Sequence, residues 1–515
     1  MTVHVKIFIS VILLGVLAIV GWRYAEPKIR DYQQRSTSDA AGSKGRIVVG
    51  VDSWVGYFMI CSPQLTKRLR AEGYALQCED DHADTAGRIG KLADGRLDYA
   101  VATVDSYLLN GAASAYPATI VAVIDESKGG DAIVARASVV PNLDALKAQA
   151  GARIAYTPAS PSEHLLKSVG VHFDIPELQK KGGAWRVETD GSSAALDKLL
   201  KGEVDVAVLW EPDVSRALAS PGIVKLLGTE DTDRLIVDVL LASRRSVQQE
   251  SAQLSLLLRA YFETLRWYGE HPAELESDVA AYTALPPAQA RTVMQGVAWA
   301  GLDDNGAQWF GILPSGLPGD EGLLDTINGT LKVLIASGDF PRNPLPDQDP
   351  LRLTNRQFVA SLYLPQARPE LAGKSDTLAL EFQPLDDAAW DRLKQVGTLR
   401  IEPIGFTRGT ASLDEDSRQT LDDIADKLRR YPRYRLLIKG HTGLGGDDAA
   451  NLQLSKDRAQ AAADYLLQNF KMDADRERAV GYGSSQPLPR QAGESDRAYA
   501  YRLPRVEFVL LAEPY

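Results

Sequence analysis

Two groups of side chains in this sequence have the types and spacing to bind a ligand. The first group consists of acids, hydroxyls and aromatic residues in the loops that follow short β-branched runs. Its members are Asp52, Ser53, Trp54, Tyr57, Asp105, Ser106, Asp125, Ser160, Ser162, Trp210 and Glu211. Carboxylates beside aromatic faces suit a cationic or zwitterionic ligand, whereas helix N-termini that follow strands suit an anion. The sequence therefore predicts a small-molecule site and leaves the charge of the ligand open.

The second group surrounds a glycine-rich turn near residue 443. Thr442 precedes the turn, and Asn451, Ser455 and Arg458 are spaced so that they share one face of the helix that follows it. A guanidinium group can form two parallel hydrogen bonds to a carboxylate, which makes Arg458 a candidate ligand for an anion. The alternative interpretation is a structural ion pair between Arg458 and a neighbouring acid.

Several of these candidates also have a simpler structural explanation. A serine or aspartate between a strand and a helix is often a helix N-cap. This explanation applies to Asp105, Ser106, Ser160 and Ser162. The alternative explanation for Trp54 and Trp210 is that their large side chains belong to the apolar core. His164, on the predicted helix after residue 160, is expected to face solvent.

The elements that must position the first group form an α/β pattern. Residues 43–360 alternate short β-branched runs with amphipathic helical segments, which predicts parallel strands. Residues 88–108 resemble residues 195–218, since each segment has a helix followed by a strand of pattern G-x-[LV]-D-x-A-V. This repetition predicts two similar lobes with a cleft at the carboxyl ends of their strands.

The N-terminus carries the one strongly apolar stretch, residues 7–22. No A-x-A-like cleavage site follows it, and residues 3–24 reach the roughly 20 residues that span a bilayer, so we expect an uncleaved anchor. The two cysteines, Cys61 and Cys78, suit either a disulfide in an exported protein or two buried thiols.

Composition and motifs exclude several functions. A net charge of -11 with no basic stripe argues against nucleic acid as a partner. The sequence has no phosphate-binding loop, no G-x-S-x-G elbow, no HExxH and no zinc-like cluster of Cys and His. We therefore expect no enzyme activity, no metal and no cofactor.

Five segments of residues 46–365 resemble a known family. They are VGVDSWVGYF (49–58), DGRLDYAVATVDSY (94–107), DESKGGDAIVAR (125–136), TPASPSEHLL (157–166) and GEVDVAVLWEPDVSRA (202–217). The family is the periplasmic solute-binding proteins of ABC importers, in the subgroup that binds nitrate, sulfonates, taurine or thiamine precursors. The resemblance implies a type II two-lobed fold that closes on a small solute. Lobe 1 would comprise residues 46–130 and 236–365, and lobe 2 residues 131–235.

The C-terminal residues resemble a second family. The matching segments are IEPIGFTRGTASLDEDS (401–417), GHTG (440–443), NLQLSKDRA (451–459), GYGSSQP (481–487) and PRVE (504–507). They are similar to the OmpA-like peptidoglycan-binding domain. The resemblance implies that Thr442, Asn451 and Arg458 bind peptidoglycan.

This sequence departs from the second family at two positions. In the family, an aspartate after GHT and the arginine of LSxxRA hold the amine and the carboxylate of diaminopimelate. Arg458 matches that arginine, but Gly443 occupies the aspartate position, with Asp447 or Asp448 as a candidate substitute. Pro504 also replaces an arginine of the family pattern. These departures leave wall binding open.

The predicted organisation combines these parts. It consists of a membrane anchor or signal segment (1–24), a linker (25–45), the bilobal domain (46–365), a second linker (366–394) and the OmpA-like domain (395–515). We therefore expect a solute-binding protein of the Gram-negative periplasm, tethered to the inner membrane, with an importer permease or an envelope sensor as partner. The alternative is an envelope scaffold or sensor subunit whose binding lobe contacts only proteins.

Overall fold

The computed structural model describes residues 44–149, 151–180, 182–313, 321–366, 380–406 and 409–513. The predicted membrane anchor, residues 1–24, lies outside these ranges. Within them, no helix is both long and apolar enough to cross a bilayer. The membrane tether therefore stays a prediction.

The described strands and helices alternate along most of the chain. The strands are β1 (Gly45–Val51), β2 (Tyr74–Asp80), β3 (Tyr99–Thr103), β4 (Ala118–Ser127), β5 (Asp131–Arg136), β6 (Ile154–Tyr156), β7 (Arg186–Glu188), β8 (Val206–Trp210), β9 (Ile223–Gly228), β10 (Val237–Ser243), β11 (Val297–Trp299), β12 (Lys394–Thr398), β13 (Arg435–His441), β14 (Glu477–Gly481) and β15 (Arg505–Ala512). The helices are α1 (Phe58–Cys61), α2 (Pro63–Ala71), α3 (Thr85–Ala93), α4 (Val104–Gly111), α5 (Leu143–Ala148), α6 (Pro161–His172), α7 (Ser192–Leu200), α8 (Asp213–Leu218), α9 (Arg244–Gln249), α10 (Ser251–Glu270), α11 (Pro272–Thr283), α12 (Pro287–Gln295), α13 (Gly322–Ala336), α14 (Gln357–Tyr363), α15 (Asp387–Trp390), α16 (Glu415–Arg429), α17 (Asp448–Phe470) and α18 (Asp496–Arg502).

The first sheet has the strand order β2-β1-β3-β10-β4-β11 and forms the core of lobe 1. Strands β2, β1 and β3 are parallel, as the sequence predicts. The prediction is wrong for β10, which runs antiparallel to β3 and β4, and for β11, which runs antiparallel to β4. A strand buried on both faces is a continuous apolar run in either direction, so its sequence does not reveal its orientation.

Helices cover both faces of the first sheet. On one face, α10 packs Leu254 and Leu258 against Ile47 and Val49 of β1. On the other face, α3 and α13 contribute Ile89, Leu92 and Ile327 to a second apolar cluster, with Val48 and Val239 among the strand residues. The alternation of β1 side chains between the two clusters follows from the two-residue period of a strand.

The second sheet has the strand order β7-β6-β8-β5-β9 and forms the core of lobe 2. The chain passes between the two sheets twice, from β4 to β5 and from β9 back to β10. The two crossing segments touch, because Ser127 N donates a hydrogen bond to Ile236 O over 3.0 Å. Two adjacent connections of this kind are the usual geometry of a hinge.

The repeat seen in the sequence is a repeat of structure. Residues 88–108 contain the end of α3, then β3 and α4, and residues 195–218 contain α7, β8 and α8. Gly95 and Gly202, which precede the two strands, both have φ near +73°. This left-handed conformation favours glycine, which explains why the repeat keeps one at that point.

A disulfide joins Cys61 at the end of α1 to Cys78 in β2. The bond closes a short stretch of lobe 1 that contains α2. It resolves the alternative that the sequence left open for these two cysteines.

The C-terminal domain is an α/β unit built on the strand order β12-β15-β13-β14. Helices α16 and α17 cover one face, where Leu421, Ile424 and Leu466 pack against Leu436 and Phe508. On the other face Trp390 packs with Val509 and Leu511. The described end of the predicted second linker, residues 380–394, therefore contributes to this domain.

Two of the glycines in and after α3, Gly90 and Gly95, provide a test of the repeat geometry. We expect Gly95→Ala to lower the free energy of unfolding by about 1 kcal/mol, because alanine is strained at positive φ. Gly90→Ala is the matched control, since Gly90 lies inside α3 and an added Cβ would meet nothing within 4 Å at either position. Alanine in a helix is favoured over glycine by roughly 0.5–1 kcal/mol, so this variant should be more stable. Urea unfolding measures both; equal effects would contradict the interpretation.

Candidate functional site

The two lobes meet along α4 and α6. Helix α4 follows β3 of the first sheet, α6 follows β6 of the second, and the two helices contact each other across the boundary. Lys167 Nζ on α6 also lies 3.1 Å from a carboxylate oxygen of Asp339, which follows α13 of lobe 1. The predicted cleft is therefore closed in this structure, and its walls come from the carboxyl ends of β3 and β6.

Buried polar atoms without partners lie in these walls. In lobe 1, Thr103 Oγ1 ends β3; in lobe 2, Thr157 Oγ1 follows β6, and Ser162 Oγ and His164 Nδ1 lie near the start of α6. None of the four has a hydrogen-bond partner among the described residues. Buried polar groups nearly always have one, so a small molecule or solvent is expected to supply the partners.

His164 differs from its prediction. Its side chain is buried, with 2% of its surface exposed, so the expectation that it faces solvent is wrong. Burial lowers the pKa of His164, and the charge of Asp105 in lobe 1 acts in the opposite direction. Residue type alone gave no indication of burial, because α6 is buried around most of its circumference, including polar residues such as Lys167 and Ser168.

Asp105 and Ser106 lie in the first turn of α4 and are both buried. Ser106 Oγ donates a long hydrogen bond of 3.4 Å to Asp105 Oδ2. Helix α4, which carries Asp105, contacts helix α6, which carries His164, across the lobe boundary. Asp105 is thus the predicted carboxylate that is best placed to contact a molecule between the lobes.

Of three predicted ligands in lobe 2, two have local structural roles. Ser160 is the N-cap of α6 and accepts a hydrogen bond from Ser162 N over 3.2 Å, as the simpler explanation proposed. Glu211 accepts two hydrogen bonds from Ser215, one from its amide at 3.1 Å and one from its hydroxyl at 2.8 Å. Trp210 is half-buried at the end of β8. Of these, Trp210 keeps an exposed surface without a polar role.

The antiparallel pairing of β4 and β10 brings two carboxyl groups together below the cleft. Asp125 and Asp238 are opposite each other in register and are both buried. Tyr57 Oη donates a hydrogen bond to Asp238 Oδ1, and Trp54 Nε1 donates one to Asp125 Oδ1 over 3.2 Å. Burial raises the pKa of Asp125 to about 7 and raises the pKa of Asp238 well above its ordinary value. The pair therefore retains at least one proton at neutral pH.

Asp125 differs from the prediction because it lies within β4 and not in a loop after it. Trp54 lies between it and the other lobe. A Cβ added to Gly130, at the entrance to β5, would come 2.2 Å from Trp54 Cη2. The indole of Trp54 thus spans from the carboxyl pair to the hinge and occupies the hinge end of the cleft.

Asp52 is engaged in an ion pair that the sequence did not reveal. Arg88 of α3 is 1% exposed, and its guanidinium lies 2.9 Å from Asp52 Oδ2 and 2.6 Å from Asp81 Oδ1. Burial acts to lower the pKa of Arg88, but its bonds to these acids raise it overall. Ser53, the next candidate, is exposed. Neither residue therefore offers a free polar group inside the closed cleft.

Asp131 stands at the start of β5, where the chain enters lobe 2. Ser127 Oγ donates a hydrogen bond of 2.7 Å to Asp131 Oδ2, and burial raises the pKa of Asp131 to about 7. Thr229 Oγ1 in the second crossing accepts hydrogen bonds from Gly129 N and Asp131 N, at 3.0 and 3.1 Å. These bonds tie the two crossings together.

The second candidate site lies where β13 ends. Thr442 is buried, and its amide donates to Gly483 O over 2.9 Å. Asn451 Nδ2 donates to Gly445 O over 3.0 Å, which fixes the glycine-rich turn against α17. Ser455, predicted on the same polar face, is instead buried and accepts a hydrogen bond from Gly483 N.

Arg458 has no acid beside it among the described residues. Its Nε donates to Thr410 O over 3.1 Å, and its guanidinium lies 5.0 Å from the centre of the Phe406 ring. Partial burial lowers the pKa of Arg458, with no carboxylate acting against it. The alternative of a structural ion pair is therefore not seen, and the guanidinium retains donors for an anion.

The two acids proposed as substitutes near the turn are already engaged. Asp447 is the N-cap of α17 and accepts from Ala450 N over 2.8 Å. Asp448 accepts from Ser484 Oγ over 3.2 Å. A Cβ at Gly443 would meet nothing within 4 Å, so this position is open.

Comparison with known sequences identifies the C-terminal domain. Residues 405–500 match the OmpA family. Over 100 residues the chain is 33% identical to outer membrane porin F of Pseudomonas aeruginosa. This match covers 19% of this chain and 29% of the porin. It is 36% identical over 108 residues to peptidoglycan-binding protein ArfA of Mycobacterium tuberculosis, a match that covers 21% of this chain and 32% of ArfA. It is 35% identical over 85 residues to the peptidoglycan-associated lipoprotein of Rhizobium meliloti, a match that covers 16% of this chain and 48% of the lipoprotein. The matches thus span less than half of each of these relatives.

Comparison with solved structures finds sulfonate-binding proteins. The periplasmic aliphatic sulphonate binding protein SsuA of Escherichia coli is 18% identical with a TM-score of 0.41, over 50% of this chain and 86% of that one. SsuA of Xanthomonas axonopodis pv. citri is 15% identical with a TM-score of 0.45, over 58% and 96%. The desulfurization enzyme DSZB is 14% identical with a TM-score of 0.43, over 62% and 98%.

The buried carboxyl pair predicts a pH dependence of stability. An aspartate titrates near 4 in an unfolded chain, so a pKa of about 7 for Asp125 means that the folded state binds an extra proton between these values. The free energy of unfolding should therefore fall as the pH rises from about 4 to about 7. Asp125→Asn keeps an acceptor for Trp54 and cannot ionise, so we expect a weaker fall and a gain of up to roughly 4 kcal/mol at pH 8.

Denaturant unfolding of wild type and variant across this pH range measures the effect. Asp197→Asn is the control, because Asp197 is an exposed aspartate on α7. A pH profile of Asp125→Asn that overlays the wild-type profile would contradict the assignment of a protonated pair.

Proposed function

We propose that this protein is a bacterial envelope protein whose two lobes close on a small polar solute and whose OmpA-like domain attaches it to peptidoglycan. The observation that carries the first part is the set of buried, unpartnered atoms at the lobe boundary. Thr103 in lobe 1, and Thr157, Ser162 and His164 in lobe 2, offer hydroxyl and imidazole groups from both walls. A solute between the lobes would complete their hydrogen bonds and favour the closed state.

The geometry of Arg458 supports attachment to the cell wall. Its guanidinium is half-buried, contacts Thr410 O and the Phe406 ring, and has no acid beside it among the described residues. A stem-peptide carboxylate would suit this group. Two of the relatives over this region are named for peptidoglycan, which supports the same ligand.

The compartment follows from these two parts. A disulfide between Cys61 and Cys78 suits an oxidising environment outside the cytoplasm. The apolar residues 7–22 would tether the chain to the inner membrane of a Gram-negative bacterium. In this proposal the lobes bind and release the solute unchanged, and an importer permease or an envelope sensor reads their state.

A second candidate function is a scaffold whose lobes hold no solute. The position of Trp54 favours it, because the indole fills the hinge end of the cleft and leaves less room for a ligand. The two candidates differ in whether any small molecule stabilises the protein.

Ser162→Ala tests solute binding. A ligand at a hundredfold over its dissociation constant adds about 2.7 kcal/mol of stability, so thermal shift against amines, amino acids, sulfonates and carboxylates should find a stabilising compound for wild type. The variant should be at least as stable as wild type without ligand, since it removes an unpartnered hydroxyl. With that compound it should gain about 1 kcal/mol less.

Thr264→Ala is the control, because Thr264 is equally buried, lies on α10 of lobe 1 and donates its hydroxyl to Ala260 O of the same helix. It should keep the full gain in stability. If no compound stabilises wild type, the scaffold function is favoured and the solute proposal is wrong.

Gly443→Asp tests wall attachment. An aspartate at this open position would add a charge-assisted bond to an ammonium group of the stem peptide, worth roughly 1.5–3 kcal/mol. We expect retention on purified sacculi to rise by about one to two orders of magnitude in affinity. Arg458→Ala should be retained less than wild type, because it removes the donor to the carboxylate.

Gly445→Asp is the control, since it adds the same charge to the same turn and its Cβ would also meet nothing within 4 Å. Equal retention of wild type, Arg458→Ala and Gly443→Asp would rule out the proposed role of this site.

A further inference from the structure

The OmpA-like domain packs directly on lobe 2. Tyr431 lies beside Phe173 with their ring centres 5.5 Å apart, and its hydroxyl is 2.7 Å from His172 Nδ1. Arg400 N donates to His172 O over 2.6 Å. The apolar cores of the two units form one continuous cluster, so lobe 2 and the OmpA-like domain are expected to move as one body.

A second contact of the domain is with the returning hinge segment between β9 and β10. Asp233 N donates to Arg430 O over 2.9 Å, and Arg430 Nη1 donates to Arg234 O over 3.2 Å. Tyr434 Oη donates to Asp231 Oδ2 over 3.1 Å. The residues that connect the lobes are thus held by the C-terminal domain.

The third contact reaches lobe 1. Arg430 Nη2 donates to Asp325 O of α13 over 2.8 Å. The same nitrogen lies against Gly329, where an added Cβ would approach it to 2.6 Å. Helix α13 belongs to the core of lobe 1, and it also contacts α6 of lobe 2.

We infer that Arg430 is a latch through which the OmpA-like domain holds lobe 1 in the closed arrangement. If lobe 1 turned about the two crossings, α13 would move relative to the combined body of lobe 2 and the C-terminal domain. The bond to Asp325 O would break, together with the ion pair between Lys167 and Asp339. The hydrogen bonds of Arg430 therefore contribute to the free energy difference between open and closed states.

The latch gives the chain a further function, which is to couple the OmpA-like domain to the state of the cleft. Coupling between two sites is reciprocal. A ligand or a pulling force that changes how the C-terminal domain is docked on lobe 2 and the hinge would change the opening of the lobes. Closure of the lobes would in turn stabilise the docked position of that domain. This inference rests on the hinge of the proposed function but does not depend on which solute binds.

The test measures the distance between the lobes without any solute. Spin labels on Ala113→Cys in lobe 1 and Ala219→Cys in lobe 2 occupy exposed positions, and the native cysteines are bonded to each other. Double electron–electron resonance on the full-length chain then reports the populations of closed and open lobes. We expect Arg430→Ala to raise the open-to-closed ratio about tenfold, since it removes hydrogen bonds made by a charged group.

Gly329→Ala tests the latch from the lobe 1 side. The new methyl group would displace the end of Arg430, while alanine favours the helix in which residue 329 lies. It should therefore open the lobes without destabilising α13. Its matched control is Gly269→Ala, a helical glycine in α10 where a Cβ meets nothing within 4 Å. Arg418→Ala is the control for Arg430→Ala, because Arg418 pairs with Glu415 on the same helix.

Longer distances in both latch variants and wild-type distances in both controls would support the latch. Wild-type distances in Arg430→Ala and Gly329→Ala would overturn it, as would equal opening in the controls. Since no solute is added, a failure of the solute proposal would leave this measurement unaffected.

Discussion

The antiparallel pairing of β10 between β3 and β4 constrains the rest of the two-lobed structure. The chain leaves the first sheet at the end of β4 and returns to it beside β4, so its two crossings must run side by side. The hydrogen bond from Ser127 N to Ile236 O and the bonds of Thr229 join them. The same pairing sets Asp125 opposite Asp238, which places a buried carboxyl pair beside the hinge, where the indole of Trp54 donates a hydrogen bond to Asp125.

Helix α6 connects the cleft to the C-terminal domain. Ser162 and His164 lie near its first turn at the lobe boundary, whereas His172 at its end contacts Tyr431 of the OmpA-like domain. Its twelve residues span roughly 18 Å as a single rigid element. Lobe 2 and the C-terminal domain therefore share one core, and lobe 1, which Arg430 contacts through α13, is the part that would move in the proposed opening.

The sequence predicted those features that depend on local pattern or repetition. The α/β architecture and the OmpA-like domain are confirmed. The sequence repeat formed by residues 88–108 and 195–218 corresponds to a repeated helix–strand–helix unit. The direction of β10 was not predictable, because a strand buried on both faces has no directional pattern. The burial of Arg88 and His164 depends on acids and walls that come from distant segments, as does the use of Asp52 by Arg88. The docking of the C-terminal domain on the hinge involves contacts between residues some 200 positions apart, such as Tyr434 with Asp231, and no single segment encodes them.

The central claim is that the closed lobes hold a small polar molecule at their boundary. Native mass spectrometry of the full-length chain, purified from the envelope without unfolding, tests it most directly. The account predicts a mass above that of the chain, with the excess released as a small molecule on unfolding. A native mass equal to that of the bare chain, unchanged after incubation with a periplasmic small-molecule extract, would contradict it.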